Sequence, residues 1–157
     1  MNARAEPAAA QKYALELSRV FDAPPVLVFK AFTKPEHLVR WWGPNDFSTT
    51  VERLEFREGG GYRFTIHGLN DRDHGMSGVF RKIVEPKTIA FTFAWVDEKG
   101  EPGDETLITV TLEAEGNGTR LTFRQEPFDD TENRDSHAEG WGEVLDKLAP
   151  FLADFHG

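Results

Sequence analysis

Cysteine is absent from this 157-residue chain. Disulfides, thiolate metal sites and a cysteine nucleophile are thereby excluded, and the expected setting is a reducing, cytoplasmic one. No run approaches the roughly 18 apolar residues of a membrane span. The N-terminus also lacks the charged-then-apolar pattern of a signal peptide. Basic charge is in deficit: 18 Lys and Arg stand against 27 Asp and Glu, a net charge of -9. The imbalance lies wholly in the second half, where residues 79–157 carry 8 basic and 17 acidic side chains. Without a basic stripe there is no electrostatic footprint for a phosphate backbone, so nucleic acid is not an expected partner.

What is present in surplus is aromatic: 13 Phe, 4 Trp and 2 Tyr. Many fall in alternating runs, the period of a strand with bulky residues on one face. The length is that of one domain. Residues 1–10 are small and polar and read as a disordered tail, leaving 11–157 as the domain. Tyr13, Leu15, Leu17 and Phe21 alternate as a half-buried strand. Asp22 is placed to cap a short helix containing Val28, Phe29 and Phe32, with Pro24 and Pro25 at its start. Lys34-Pro35 separates it from a second short helix, Glu36 to Trp41, which Gly43-Pro44 ends.

From Phe47 to Glu126 the pattern is strand, turn, strand, with a strong hairpin signal at Glu115-Gly116-Asn117-Gly118. Six strands joined by short connections predict an antiparallel meander. The last segment is a helix over about Thr131 to Phe155. Ala138, Trp141, Leu145, Leu148, Leu152 and Phe155 recur at spacings of three and four. Asp130 or Thr131 is placed to cap it, Ser136 with Glu139 forms a rival capping box, and Pro150 predicts a kink or early stop. An α+β fold, with a curved antiparallel sheet of about seven strands around this helix, covers every apolar face.

Several segments together resemble a known family. They are Phe21-Asp22-Ala23-Pro24, Lys34-Pro35-Glu36-His37-Leu38 leading into Arg40-Trp41-Trp42-Gly43-Pro44, Gly60-Gly61-Tyr62-Arg63-Phe64, Gly78 to Val84, Thr119-Arg120-Leu121-Thr122, and His137-Ala138-Glu139-Gly140-Trp141. In this order they are similar to the activator of heat-shock protein 90 ATPase homologue group, in the START-related SRPBCC superfamily. The resemblance runs from about residue 12 to residue 155. It implies the helix-grip fold of the birch-pollen allergen and a cavity between sheet and helix that often holds an apolar ligand.

The residues on predicted inward faces support such a cavity: Phe64, Phe93, Trp95, Phe123, Trp141 and Leu145, with Trp42 and Met76 near its mouth. Gln125 shares strand phase with Leu121 and Phe123, and Tyr62 with Phe64 and Ile66. Both are expected to supply the polar contacts that orient a ligand. Glu126 and His67 fall out of phase and are expected to face solvent. Asp71, Asp73 and His74 crowd one glycine-flanked loop, the composition of a solvated loop rather than a metal site. Ser136-His137 lacks the glycines of a nucleophile elbow, and Gly59 to Gly61 precede a strand, without the helix N-terminus of a phosphate cradle.

The leading expectation is therefore a module binding a hydrophobic, aromatic or lipid-like small molecule, with no cofactor and no covalent chemistry. It is expected as a monomer or weak homodimer. The alternative implied by the resemblance is a chaperone interaction in stress response. Only a short stretch precedes the first strand, where the eukaryotic activators carry an extra domain, so no stimulation of a purified chaperone ATPase is expected. A saturable rise in ATP turnover would put that alternative first. A cyclase- or hydrolase-like enzyme needs an inward acid–base pair, and strand phase finds none.

Overall fold

The computed structural model describes residues 12–70 and 72–157. The expected tail at 1–10 and Asp71 lie outside them. Strand β1 (Tyr13–Phe21) is followed by helices α1 (Pro25–Lys30) and α2 (Pro35–Trp41). Then come β2 (Phe47–Leu54), β3 (Gly61–Gly68), β4 (His74–Val84), β5 (Thr88–Val96), β6 (Thr106–Glu115), β7 (Gly118–Phe128) and helix α3 (Thr131–Ala153). The seven strands form one sheet in the order β1-β7-β6-β5-β4-β3-β2, antiparallel throughout. The meander from β2 to β7 is thus as the alternating pattern predicts. The two short helices carry the chain from one edge of the sheet to the other.

Local chemistry explains the element ends. Asp130 caps α3 by accepting from the Asn133 N–H at 2.7 Å, and Glu132 sits in the first turn where the helix dipole favours an anion. The Ser136–Glu139 box lies inside the helix and caps nothing. Pro150 falls in the last turns, and α3 ends three residues later at Ala153. Asp22 does not cap α1: the N-cap is Pro24, with Pro25 at the first helical position and no side-chain cap. A proline there has no N–H to satisfy and its φ is already helical, so a cap is dispensable. The β6–β7 hairpin pairs Glu115 with Gly118 across a two-residue turn that holds Gly116 at φ 61°, a backbone conformation that favours glycine.

One contiguous core lies between the concave face of the sheet and α3. Trp141, Val144, Leu145, Leu148, Phe151 and Leu152 are the buried stripe of α3. They meet sheet residues such as Leu15, Phe64, Phe93, Val110, Leu121 and Phe123. Ring contacts run through this layer, with Phe123 to Trp141 at 4.8 Å and Trp42 to Trp141 at 5.2 Å between centroids. Such edge-to-face and tilted pairs add packing energy beyond the area they bury. Among the described residues no helix is long and apolar enough to cross a membrane.

Candidate functional site

The expected inner cavity is nearly closed beside Tyr62 and Phe64. The space enclosed by Tyr62, Phe64, Phe80, Phe91 and their neighbours amounts to about 20 Å³, enough for roughly one water. Tyr62 and Phe64 pack ring against ring at 4.9 Å. The Tyr62 phenol is buried and donates to the Thr92 carbonyl at 2.7 Å. Burial, with the charge of Glu105 adding to it, pushes the phenol well above its ordinary range. It therefore stays a donor, and it is already used.

Gln125 is as deeply placed as its strand phase predicts, with no exposed surface. Its amide nitrogen donates to Thr106 Oγ1 at 2.9 Å, and its oxygen accepts from Trp141 Nε1 at 2.8 Å. The carboxamide is thus a clamp between β6 and α3 that fixes the Trp141 ring. Phe123 and Leu145 are core residues that border none of the open spaces described below.

An apolar cleft of about 450 Å³ lies at the mouth of the grip, apart from a larger, polar hollow of about 750 Å³ beside Arg63, Asp73 and Asp97. One wall of the cleft comes from the sheet: Ile66, His74, Met76 and Trp95. The lip is the α2–β2 connection with Trp42, Gly43, Pro44 and Phe47, and the third side is the N-terminal half of α3. Four of the expected ligand residues meet here, namely Trp42, Met76, Trp95 and Trp141. Trp42 Nε1 points at Met76 Sδ, 3.4 Å away, which joins lip to sheet. The lip is also pinned to α3. Lys147 Nζ donates to the Gly43 carbonyl at 3.0 Å, and the Asn45 N–H donates to Glu143 Oε1 at 2.9 Å. Partial burial lowers the Lys147 pKa, opposed by the nearby Glu143 carboxylate. Gly43 turns the chain at φ 103°, a conformation other residues rarely adopt.

Sequence periodicity did not bring Asn133, Ser136, His137 and Gly140 to the site. They line the cleft at helical spacing, on the same side of α3 as Trp141 and Val144. The available signal was that spacing, three and four residues apart, running N-terminally from the apolar stripe. His137 holds the geometry of this edge. Its Nε2 lies 3.0 Å from Trp95 Nε1 and its Nδ1 lies 3.0 Å from the Asn133 carbonyl oxygen. Trp95, although in phase with Phe93, is 40% exposed because β5 ends one residue later, at Val96. A smaller pocket of about 210 Å³ adjoins the cleft, bordered by Phe93, Trp95, Thr106, Gln125, Phe128 and the two carboxylates of Asp104 and Asp129. His67 pairs with Asp73 at 3.0 Å and Thr50 at 2.8 Å on the outer side of the sheet. No group of three metal-ligating side chains occurs among the described residues.

The cleft offers aromatic and thioether surface, a pinned lip and a polar helix edge. Among the described residues no carboxylate borders it. That set can hold an apolar body by ring faces and orient it by a few polar contacts.

Comparison with known proteins places this geometry. Residues 22–153 match the family described as Activator of Hsp90 ATPase homolog 1-like protein. A crystal structure of a protein from Chromobacterium violaceum is 29% identical with a TM-score of 0.80, covering 88% of this chain and 96% of its own. A family protein from Silicibacter pomeroyi is 27% identical with a TM-score of 0.83, covering 92% and 100%. The solution structure of a protein from Arthrobacter aurescens is 27% identical with a TM-score of 0.81, covering 98% and 92%. No curated protein matches the chain. The sheet, the long C-terminal helix and the match over most of the sequence agree, and the chain belongs to the Activator of Hsp90 ATPase homolog 1-like family of the SRPBCC superfamily.

Proposed function

We propose that this protein binds a hydrophobic, aromatic or lipid-like small molecule in the cleft between the sheet mouth and the N-terminal half of α3. The observation that carries the reading is the contrast between two spaces. The space beside Tyr62 and Phe64 has room for about one water, whereas the mouth opens into about 450 Å³ walled by three indoles and a thioether. Small-molecule sites commonly lie in the range of roughly 300–1,000 Å³ with this kind of lining. The membership of a ligand-binding fold family is consistent with it.

Binding rather than turnover is favoured by the state of the polar groups. The two nitrogens of His137 are both engaged, by Trp95 and by the Asn133 carbonyl. A general base needs a free nitrogen within reach of the proton it takes. Asn133 and Ser136 on the edge of α3 provide the orienting contacts, in place of Tyr62 and Gln125, whose hydrogen bonds are internal.

Titration with N-phenyl-1-naphthylamine is expected to give saturable fluorescence, with amide shifts at Ile66, Met76, Trp95 and Gly140. Gly140→Phe supplies the control. Gly140 borders the cleft and no atom lies within 4 Å of a Cβ built there, so a larger side chain starts from open space at the cleft wall. Affinity should fall by about tenfold or more, corresponding to roughly 1.4 kcal/mol, with no loss in thermal midpoint. No saturable response to this probe or to a panel of flavonoids, fatty acids and sterols would overturn the proposal.

A further inference from the structure

Four tryptophans give the chain four indole N–H groups, and each is aimed at a different acceptor. Trp41 donates to the Ala31 carbonyl, Trp42 to Met76 Sδ, Trp141 to Gln125 Oε1, and Trp95 to His137 Nε2. Only the last acceptor can take up a proton between pH 5 and 8. An indole N–H is a donor with no acceptor capacity, so His137 Nε2 must be bare to meet it. The Asn133 carbonyl oxygen only accepts, so Nδ1 carries the ring proton. Two neighbours thus hold His137 in one neutral tautomer. A proton added at Nε2 turns donor against donor, and the bond to Trp95 is lost.

The position of this bond gives it a consequence. Trp95, Asn133 and His137 border both the cleft and the adjoining 210 Å³ pocket. Trp95 stands at the exposed end of β5, against Phe93 at 5.1 Å and His74 at 6.0 Å between ring centroids. Its hydrogen bond to His137 ties the sheet wall to the helix wall, between the two spaces.

We propose that the Trp95–His137 pair is a latch, released by protonation of His137, that joins the cleft and the side pocket into one two-compartment ligand site. The inference rests on the reading of the cleft as a ligand site. Charged and titratable groups stand on the elements around His137. Asp104, from the β5–β6 connection, and Asp129, following β7, lie in the side pocket, and Asp129 is paired with Lys12. Arg134, one turn earlier on α3, is paired with Asp135 at 3.0 Å, and His74 stands on the sheet wall of the cleft. With the latch open, the joined space runs from the aromatic cleft to an end bordered by Thr106 and the Asp104 and Asp129 carboxylates. That shape suits a long apolar ligand ending in a hydrogen-bond donor such as a hydroxyl.

The test uses the full chain labelled with ¹⁵N, titrated from pH 8 to pH 5. The Trp95 indole cross-peak is expected to move together with the His137 ring resonances, while those of Trp41, Trp42 and Trp141 hold. Dodecanol, a neutral long-chain probe, should bind about fivefold more tightly at pH 5, the factor one neutral hydrogen bond commonly carries. Compact 2-naphthol should bind equally at both. In His137→Gln the dodecanol preference for low pH should vanish. A Trp95 indole that stays still while the His137 ring titrates overturns the latch. An indole that moves while dodecanol affinity does not overturns the second compartment. Failure of both probes to bind at either pH counts against the cleft reading and the compartment together, and the indole titration alone then decides the latch.

Discussion

Gly78→Ala is expected to destabilise the protein by about 3 kcal/mol or more, the upper range for a single added methyl group. A Cβ built at Gly78 falls 1.9 Å from the Thr92 carbonyl oxygen and 2.7 Å from Tyr62 Cε1. Neither can give way cheaply. The carbonyl belongs to the neighbouring strand and accepts the Tyr62 hydroxyl, and Thr92 Oγ1 accepts the Val79 N–H at 2.8 Å. The methyl therefore parts β4 from β5 and breaks a buried hydrogen bond at once. Gly140→Ala is the paired control with the opposite sign. It meets nothing within 4 Å and replaces a helical glycine, so it should stabilise by up to about 1 kcal/mol. Urea unfolding measures both. A loss below about 1 kcal/mol at Gly78 would show that the two strands can separate without penalty, against the packing described.

Leu148→Ala should cost about 2–5 kcal/mol. Leu148 is fully buried in the middle of the α3 stripe, with Leu145 and Leu152 to either side. The lost transfer energy adds to the penalty of a cavity that a rigid sheet cannot close. Leu69 is the comparison: at 78% exposed, its replacement by alanine should stay within about 0.5 kcal/mol. Equal effects at the two positions would mean that α3 does not seat on the sheet. Thermal or denaturant unfolding of the two variants settles the point.

Both predictions concern the scaffold, and the scaffold is the part the sequence made most legible. The α3 stripe was readable because 3.6-residue periodicity is a property of adjacent turns. The alternation in β5, Ile89 to Phe93, was readable for the same reason at period two. Gln125 shows the limit. Its strand phase placed it inside, correctly, but phase says nothing about which atoms stand opposite. There they are Thr106 Oγ1 and Trp141 Nε1, and they use the carboxamide that the sequence offered to a ligand. Tyr62 is the same case, its hydroxyl engaged by the Thr92 carbonyl. Trp95 kept its phase and yet stands half in solvent, because burial near a strand end depends on what covers it.

The amino-acid sequence by itself determined the elements, their order, the antiparallel meander and the face each element buries. These follow from local periodicity, turn chemistry and the requirement that every apolar face be covered. Only the tertiary structure decided that β1 closes on β7, that Asn133, Ser136, His137 and Gly140 share a wall with Trp42 and Met76, and where the empty space lies. Whether a surplus of large rings leaves a hollow or fills it is a sum of volumes over residues distant in the chain. In this chain the rings fill the centre, where sheet and α3 converge, and leave room at the mouth, where the helix edge carries glycine and small polar side chains.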